Sequence, residues 1–182
     1  MKLKNDLIEI ECKVDDTFSL KSTDNQKYDY IYNLNEITRN DYIKAYSIVI
    51  YNGDIITKIA IVGLCLGCND NCILDGNNLI VVADYSVIII NLIYFKIHKH
   101  VRLPSHGTYF SIYTFDDGYI VYGEIDIVKL SKDFTIQWTF SGADIFVTTD
   151  GTDPFIIQEK CILLTDWNGK QYKLNNLGKE IK

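Results

Sequence analysis

The sequence predicts an all-β domain of antiparallel meanders in propeller-like repeats, with a β-sandwich of the same strands as the alternative. Three observations predict it. A strand–turn–strand plan over residues 113–130 is repeated over 155–174, roughly 40 residues on, the spacing of stacked four-strand units. Residues 78–82 and 87–92 form an earlier copy. Thirteen Tyr and eight Phe, with many Ile and Val, suit a pleated surface. No long segment has a helical period, and the short apolar runs are separated by Gly, Asp and Asn turns.

Taken in order, the chain begins with a charged stretch that lacks the apolar core of a secretion signal, so a cytoplasmic location is expected. Residues 7–12 alternate apolar and polar, as a half-buried strand does. Residues 15–27 read as a polar loop, 28–34 as a second strand, and 35–44 as a turn or short helix. The expectation is one domain over 1–182. In it, an irregular segment, 1–45, packs on the repeats of 46–182 and covers a sheet edge that would otherwise recruit other chains.

From residue 46 the punctuation sharpens. Residues 46–51 and 55–62 flank Asn52-Gly53, a strong hairpin signal because both residues tolerate positive φ. The most apolar stretch, 79–95, is broken by Asp84 and Asn91 and is shorter than the roughly 20 residues of a bilayer helix. It reads as paired strands, and no membrane partner is expected. Residues 97–103 alternate, with His98, His100 and Arg102 on one face. Strands follow over 109–115, 119–124, 126–130 and 135–140, with the turn at Asp116-Asp117-Gly118. The last unit runs through 155–158, 161–166, the Asn168-Gly169 hairpin and 171–175.

Three stretches, 118–124 (GYIVYGE), 138–147 (WTFSGADIFV) and 166–174 (DWNGKQYKL), resemble a group of bacterial proteins of similar length with no assigned activity. The similarity covers about residue 46 to the end. It implies a bacterial, all-β, propeller-like protein and carries no catalytic residue across. Small acidic bacterial proteins of this kind often accompany secreted toxins as antidotes, by analogy alone.

Charge narrows the function classes. The formal net charge is −6 and Arg occurs only at Arg39 and Arg102. Binding nucleic acid by neutralising phosphates needs clustered Lys and Arg, so no nucleic-acid partner is expected. An acidic surface suits a basic protein partner, such as a toxin domain.

The chemistry-bearing clusters each have a plainer reading. Cys65, Cys68 and Cys72 could offer three thiolates to zinc, with His98 or His106 as a fourth ligand. A structural zinc site usually pairs two such knuckles, however, and only one is present. His98, His100 and His106 resemble a three-His site, yet Lys99 and Arg102 oppose a divalent cation. A reduced protein without metal or cofactor is therefore expected, its five Cys unpaired. Two carboxylates across a cleft could act on a glycoside, but Asp116, Asp117, Asp144, Asp150, Asp153 and Asp166 sit mostly at turns. Glu124 and Asp126 lie within or between strands. Trp138 and Trp167 are expected in the core, one per repeat. Serine-elbow, zinc-protease and phosphate-loop motifs are absent.

The expected function is a non-enzymatic interaction protein, an antidote that occludes a toxin. The alternatives are a carbohydrate-active hydrolase or a small-ligand-binding β module. The expected partner face is Asp116, Asp117, Glu124, Asp126, Asp144 and Asp153.

Overall fold

The computed structural model describes residues 1–5, 8–38, 43–64, 70–104 and 107–182. Among them there is no helix, and so none long and apolar enough to cross a membrane. The strands form four sheets. The first joins β1 (Lys2–Lys4), β2 (Glu9–Asp15), β3 (Tyr30–Tyr32), β4 (Lys44–Asn52) and β5 (Ile55–Gly63) in the order β1-β2-β4-β5-β3. The second is β6 (Cys72–Asp75), β7 (Asn78–Ala83), β8 (Ser86–Asn91) and β9 (Lys96–Arg102). The third is β10 (Tyr109–Phe115), β11 (Gly118–Gly123), β12 (Asp126–Ser131) and β13 (Ile136–Ser141). The last is β14 (Phe155–Ile157), β15 (Cys161–Thr165) and β16 (Gln171–Asn175). Strands β6 to β16 run in sequence order within their sheets, the meander the turns predict. In the first sheet β3 pairs parallel with β5. Residues 1–45 thus contribute three strands to that sheet as well as a covering loop.

Period-two patterning stacks the sheets in series. From the second sheet, Leu79, Val81, Ile88 and Ile90 meet Ile48, Ile50, Ile59 and Ile61 of the first. The alternate residues Ile80, Val82, Val87 and Ile89 meet Ile112, Val121, Val128 and Leu130 of the third. The far face of the third sheet, with Phe115, Ile120 and Ile127, packs on Phe155, Ile162, Leu164 and Leu174 of the last. Each Ile or Leu buried this way contributes roughly 1.5–3 kcal/mol. The second and third sheets are covered on both faces, so their strands read as continuous apolar runs. A sandwich of two sheets, each with one wet face, does not produce that arrangement.

The two ends of the series differ. The outer face of the first sheet, built on Ala45, Ala60 and Val62, is covered by Phe18, Leu20, Tyr28 and Ile37. Small side chains let that loop lie close. Asp15 ties it down by accepting hydrogen bonds from Thr17 Oγ1 (2.7 Å), Tyr28 Oη (2.8 Å) and Gln26 Nε2 (2.9 Å). The outer face of the last sheet carries Ile156, Leu163 and Lys173, and the C-terminal Ile181 N–H docks on the Lys173 carbonyl. Between the ends, β1, β6, β10 and β14, one edge strand from each sheet, surround a cavity of about 550 Å³ lined by Leu3, Cys72, Ile73, Ile112, Tyr113 and Ile157.

Two local features differ from the sequence reading. The β10–β11 turn is made by Asp116 and Asp117, with Asp116 at φ 52°, and Gly118 already pairs in the strand. A Cβ on Gly118 would lie 2.1 Å from the Leu130 carbonyl oxygen, so this glycine permits close strand approach. A bulge in β9 against Ile89 and Ile90 interrupts the alternation there. Ile97 therefore faces the first sheet and Val101 the third.

Candidate functional site

Strand direction brings the β11–β12 turn, the β15–β16 turn and the long β13–β14 connection (142–154) to one end of the sheets. Backbone bonds lock them together. Phe146 N–H donates to the Glu124 carbonyl (2.7 Å), and Trp167 N–H donates to the Ile145 carbonyl (2.8 Å). Phe146 is fully buried between the last two sheets, and its carbonyl accepts from Tyr122 Oη at 2.6 Å. Below the surface, Tyr172 Oη accepts from Ala143 N–H (2.8 Å) and donates to Asp166 (2.7 Å). A long connection is thereby held as firmly as a turn.

At this end lies a cleft of about 510 Å³ lined by Thr148, Asp150, Asp153, Trp167, Asn168 and Gln171, among others. Trp167 is 50 % exposed. Local donors fix the carboxylates around it. Asp150 accepts from Thr152 Oγ1 (2.7 Å) and Thr152 N–H (3.1 Å), which hold it below the usual carboxylate range. Burial alone would raise Asp166, but the Tyr172 hydroxyl and the N–H groups of Lys170 and Asn168 outweigh it and hold the acid low. Asp153 accepts from Phe155 N–H at 3.0 Å, and Asp144 accepts from Asn168 Nδ2 at 2.7 Å. A general acid needs a raised pKa at neutral pH. Asp150 and Asp166 are shifted the other way. The arrangement is suited to attracting cationic groups beside an exposed indole.

The six residues expected on the partner face divide between two ends. Asp144 and Asp153 belong to the Trp167 end. Glu124 is half-buried at its margin, and Asp126 is buried, accepting from Ser141 Oγ at 2.6 Å. Asp116 and Asp117 lie at the opposite end, where Asp116 accepts from Asn176 Nδ2 at 3.1 Å. Asp117 is not a free surface acid: its Oδ1 lies 3.4 Å from Nζ of Lys129, whose side chain is 1 % exposed. Lys129 also donates to the Phe115 carbonyl and lies over the Phe115 ring. The reading of Trp167 as core is corrected, because it stands in the β15–β16 turn, 50 % exposed. Trp138 packs half-buried against the core of the last two sheets and also clasps the C-terminal turn, donating from Nε1 to the Asn176 carbonyl at 3.0 Å.

Cys65, Cys68 and His106 lie outside the described residues. Among the described residues no group of three or more His, Cys, Asp or Glu is placed to hold a metal ion. His100 Nε2 sits 2.9 Å from Ser86 Oγ, but Ser86 is fully buried and so offers a substrate no nucleophile. Sequence reasoning missed Asn168, Gln171 and Thr148 as cleft residues. Asn168 announces only a turn, and the other two carry no signal beyond polarity.

No protein-family model matches the sequence, and no curated protein matches it. Solved structures do match, and they are propeller proteins. The dihydro-heme d1 dehydrogenase NirN is similar with a TM-score of 0.56 at 11 % identity, over 78 % of this chain and 34 % of that one. The N-terminal part of BBS1, solved in complex with ARL6, matches with a TM-score of 0.52 at 14 % identity, over 77 % and 48 %. BamB from Moraxella catarrhalis matches with a TM-score of 0.50 at 13 % identity, over 80 % and 46 %. The chain spans less than half the length of each. At such identities the likeness shows the fold alone, an all-β propeller-like architecture.

Proposed function

We propose that the chain is a non-enzymatic interaction protein that binds a basic protein partner at the Trp167 end, as an antidote occluding a toxin domain does. The observation that carries this reading is the grouping of Asp144, Asp150 and Asp153 around the half-exposed Trp167. An exposed aromatic anchor rimmed by fixed charges is the composition of an interface hot spot. The net charge of −6 adds long-range attraction for a cationic partner. The downward shifts of Asp150 and Asp166 favour steering over proton transfer. The propeller-like scaffold is compatible with such a role, since the BBS1 propeller was solved with a protein bound.

The test uses the protein encoded beside this one as the binding candidate. Association kinetics are measured at about 0.1 M and 1 M salt, between which the screening length falls from roughly 10 Å to 3 Å. The expected result is slower association at high salt, slower association for D150N/D153N, and an affinity loss of about 2 kcal/mol or more for Trp167→Ala. Binding indifferent to all three changes would move the interface elsewhere. No binding at all would sink the antidote reading and leave the cleft as a small-ligand site.

A further inference from the structure

The central cavity ends on a cluster of sulfur atoms that plays no part in the reading above. Cys72 lies on β6, with its Sγ 3.6 Å from Cys12 Sγ of β2 and 3.6 Å from Met1 Sδ. The Tyr46 hydroxyl is also 3.6 Å from Cys72 Sγ and is fixed at 2.6 Å on Asn71 Oδ1. Both thiols are 2 % exposed. Cys72 and Met1 nonetheless line the cavity, which gives an ion a route to them. The core around the cluster is otherwise branched aliphatic, with Ile48, Val81 and Ile88. Three sulfurs from three separate stretches of chain converge where Ile or Val fills space elsewhere.

We propose that Cys12, Cys72 and the Met1 thioether form a binding site for monovalent copper. Thiolates and thioethers are soft ligands and select Cu(I). Zinc takes four ligands drawn from Cys, His and carboxylates, and here a thioether stands among three sulfurs. With metal–sulfur bonds of about 2.3 Å, a trigonal site places its sulfurs ~4.0 Å apart. The 3.6 Å spacings about Cys72 need to open by only a few tenths of an ångström. Binding is proton exchange without electron transfer: one Cu⁺ replaces the two thiol protons, which leave to solvent.

The test is an anaerobic titration of the reduced full chain with Cu(I) against bathocuproine disulfonate. One ion per chain is expected, retained in C65S/C68S and in C161S. Loss of a group that merely orients a ligand costs about 10–100-fold in affinity, so C12S and C72S should each weaken binding on the order of 100-fold or more. If those variants do not fold by circular dichroism, X-ray absorption on the copper-loaded unsubstituted chain decides. Three sulfur neighbours support the site, and nitrogen or oxygen neighbours overturn it. The proposal also fails if the chelator strips the unsubstituted protein, or if binding disappears in C65S/C68S.

Discussion

Replacing Asp117 with Asn tests whether a turn carboxylate at the edge of the third sheet supports the fold. From sequence it is an exposed acid whose loss should cost less than about 0.5 kcal/mol. In the structure its oxygen is 3.4 Å from Lys129 Nζ, with 75 % of the Asp117 side chain exposed and 1 % of Lys129. Coulomb attraction at that separation is ~1.2 kcal/mol in water and ~5 kcal/mol at an effective dielectric of 20. The exposed carboxylate puts the pair toward the lower value, about 1–2 kcal/mol. For a chain of this size that lowers Tm by about 2–8 °C. The assay is thermal unfolding of D117N, K129M and the double variant. In the K129M background, D117N should be silent to within about 0.5 kcal/mol. A D117N protein melting within 1 °C of the parent, or an unchanged D117N effect after removing Lys129, would refute this account of a buried cation.

Four further outcomes are expected. Phe146→Ala should cost about 3–5 kcal/mol, since it empties a fully buried site that anchors the 142–154 connection; equilibrium denaturation measures it, and a loss below 1 kcal/mol contradicts the anchoring. D150N/D153N should melt within about 0.5 kcal/mol of the parent, which separates their binding role from stability in differential scanning calorimetry. Burial, and then the charge of Arg102, depress His100 below 6.5. Its neutral form stabilises the fold above that pH, and the contribution is lost as pH falls below 6.5 through the depressed value. Urea midpoints from pH 7.5 to 5 should therefore fall less steeply in His100→Gln. Finally, Cys12, Cys72 and Cys161 are buried and should resist a thiol reagent in the native protein. All five Cys should titrate without reductant once it is denatured, and fewer than five would reveal a disulfide.

The sequence by itself determined the secondary structure and the repeat, because strand formation and turn chemistry are local. Gly53-Asp54 (one residue on from the expected Asn52-Gly53), Asp84-Tyr85 and Asn168-Gly169 lie in hairpin turns. The apolar runs at 79–83 and 87–90 announced paired strands, whose cover on both faces only the stacking of the sheets supplied. Tertiary structure decided which residues meet. Gly118 looked like a turn glycine until β12 came close enough for the Leu130 carbonyl to exclude a Cβ. Lys129 carries no sequence signal of burial, yet the fold leaves its side chain 1 % exposed with Asp117 as its counter-charge. Period two assigns a residue to a face of its own strand but does not say whether another sheet will cover that face. Trp138 and Trp167 are both expected in the core, yet Trp138 clasps the C-terminal turn and Trp167, in the β15–β16 turn, stands in the acidic cleft. Cys12 and Cys72 are likewise unrelated along the chain, and only the stacking of β2 against β6 brings their sulfurs together.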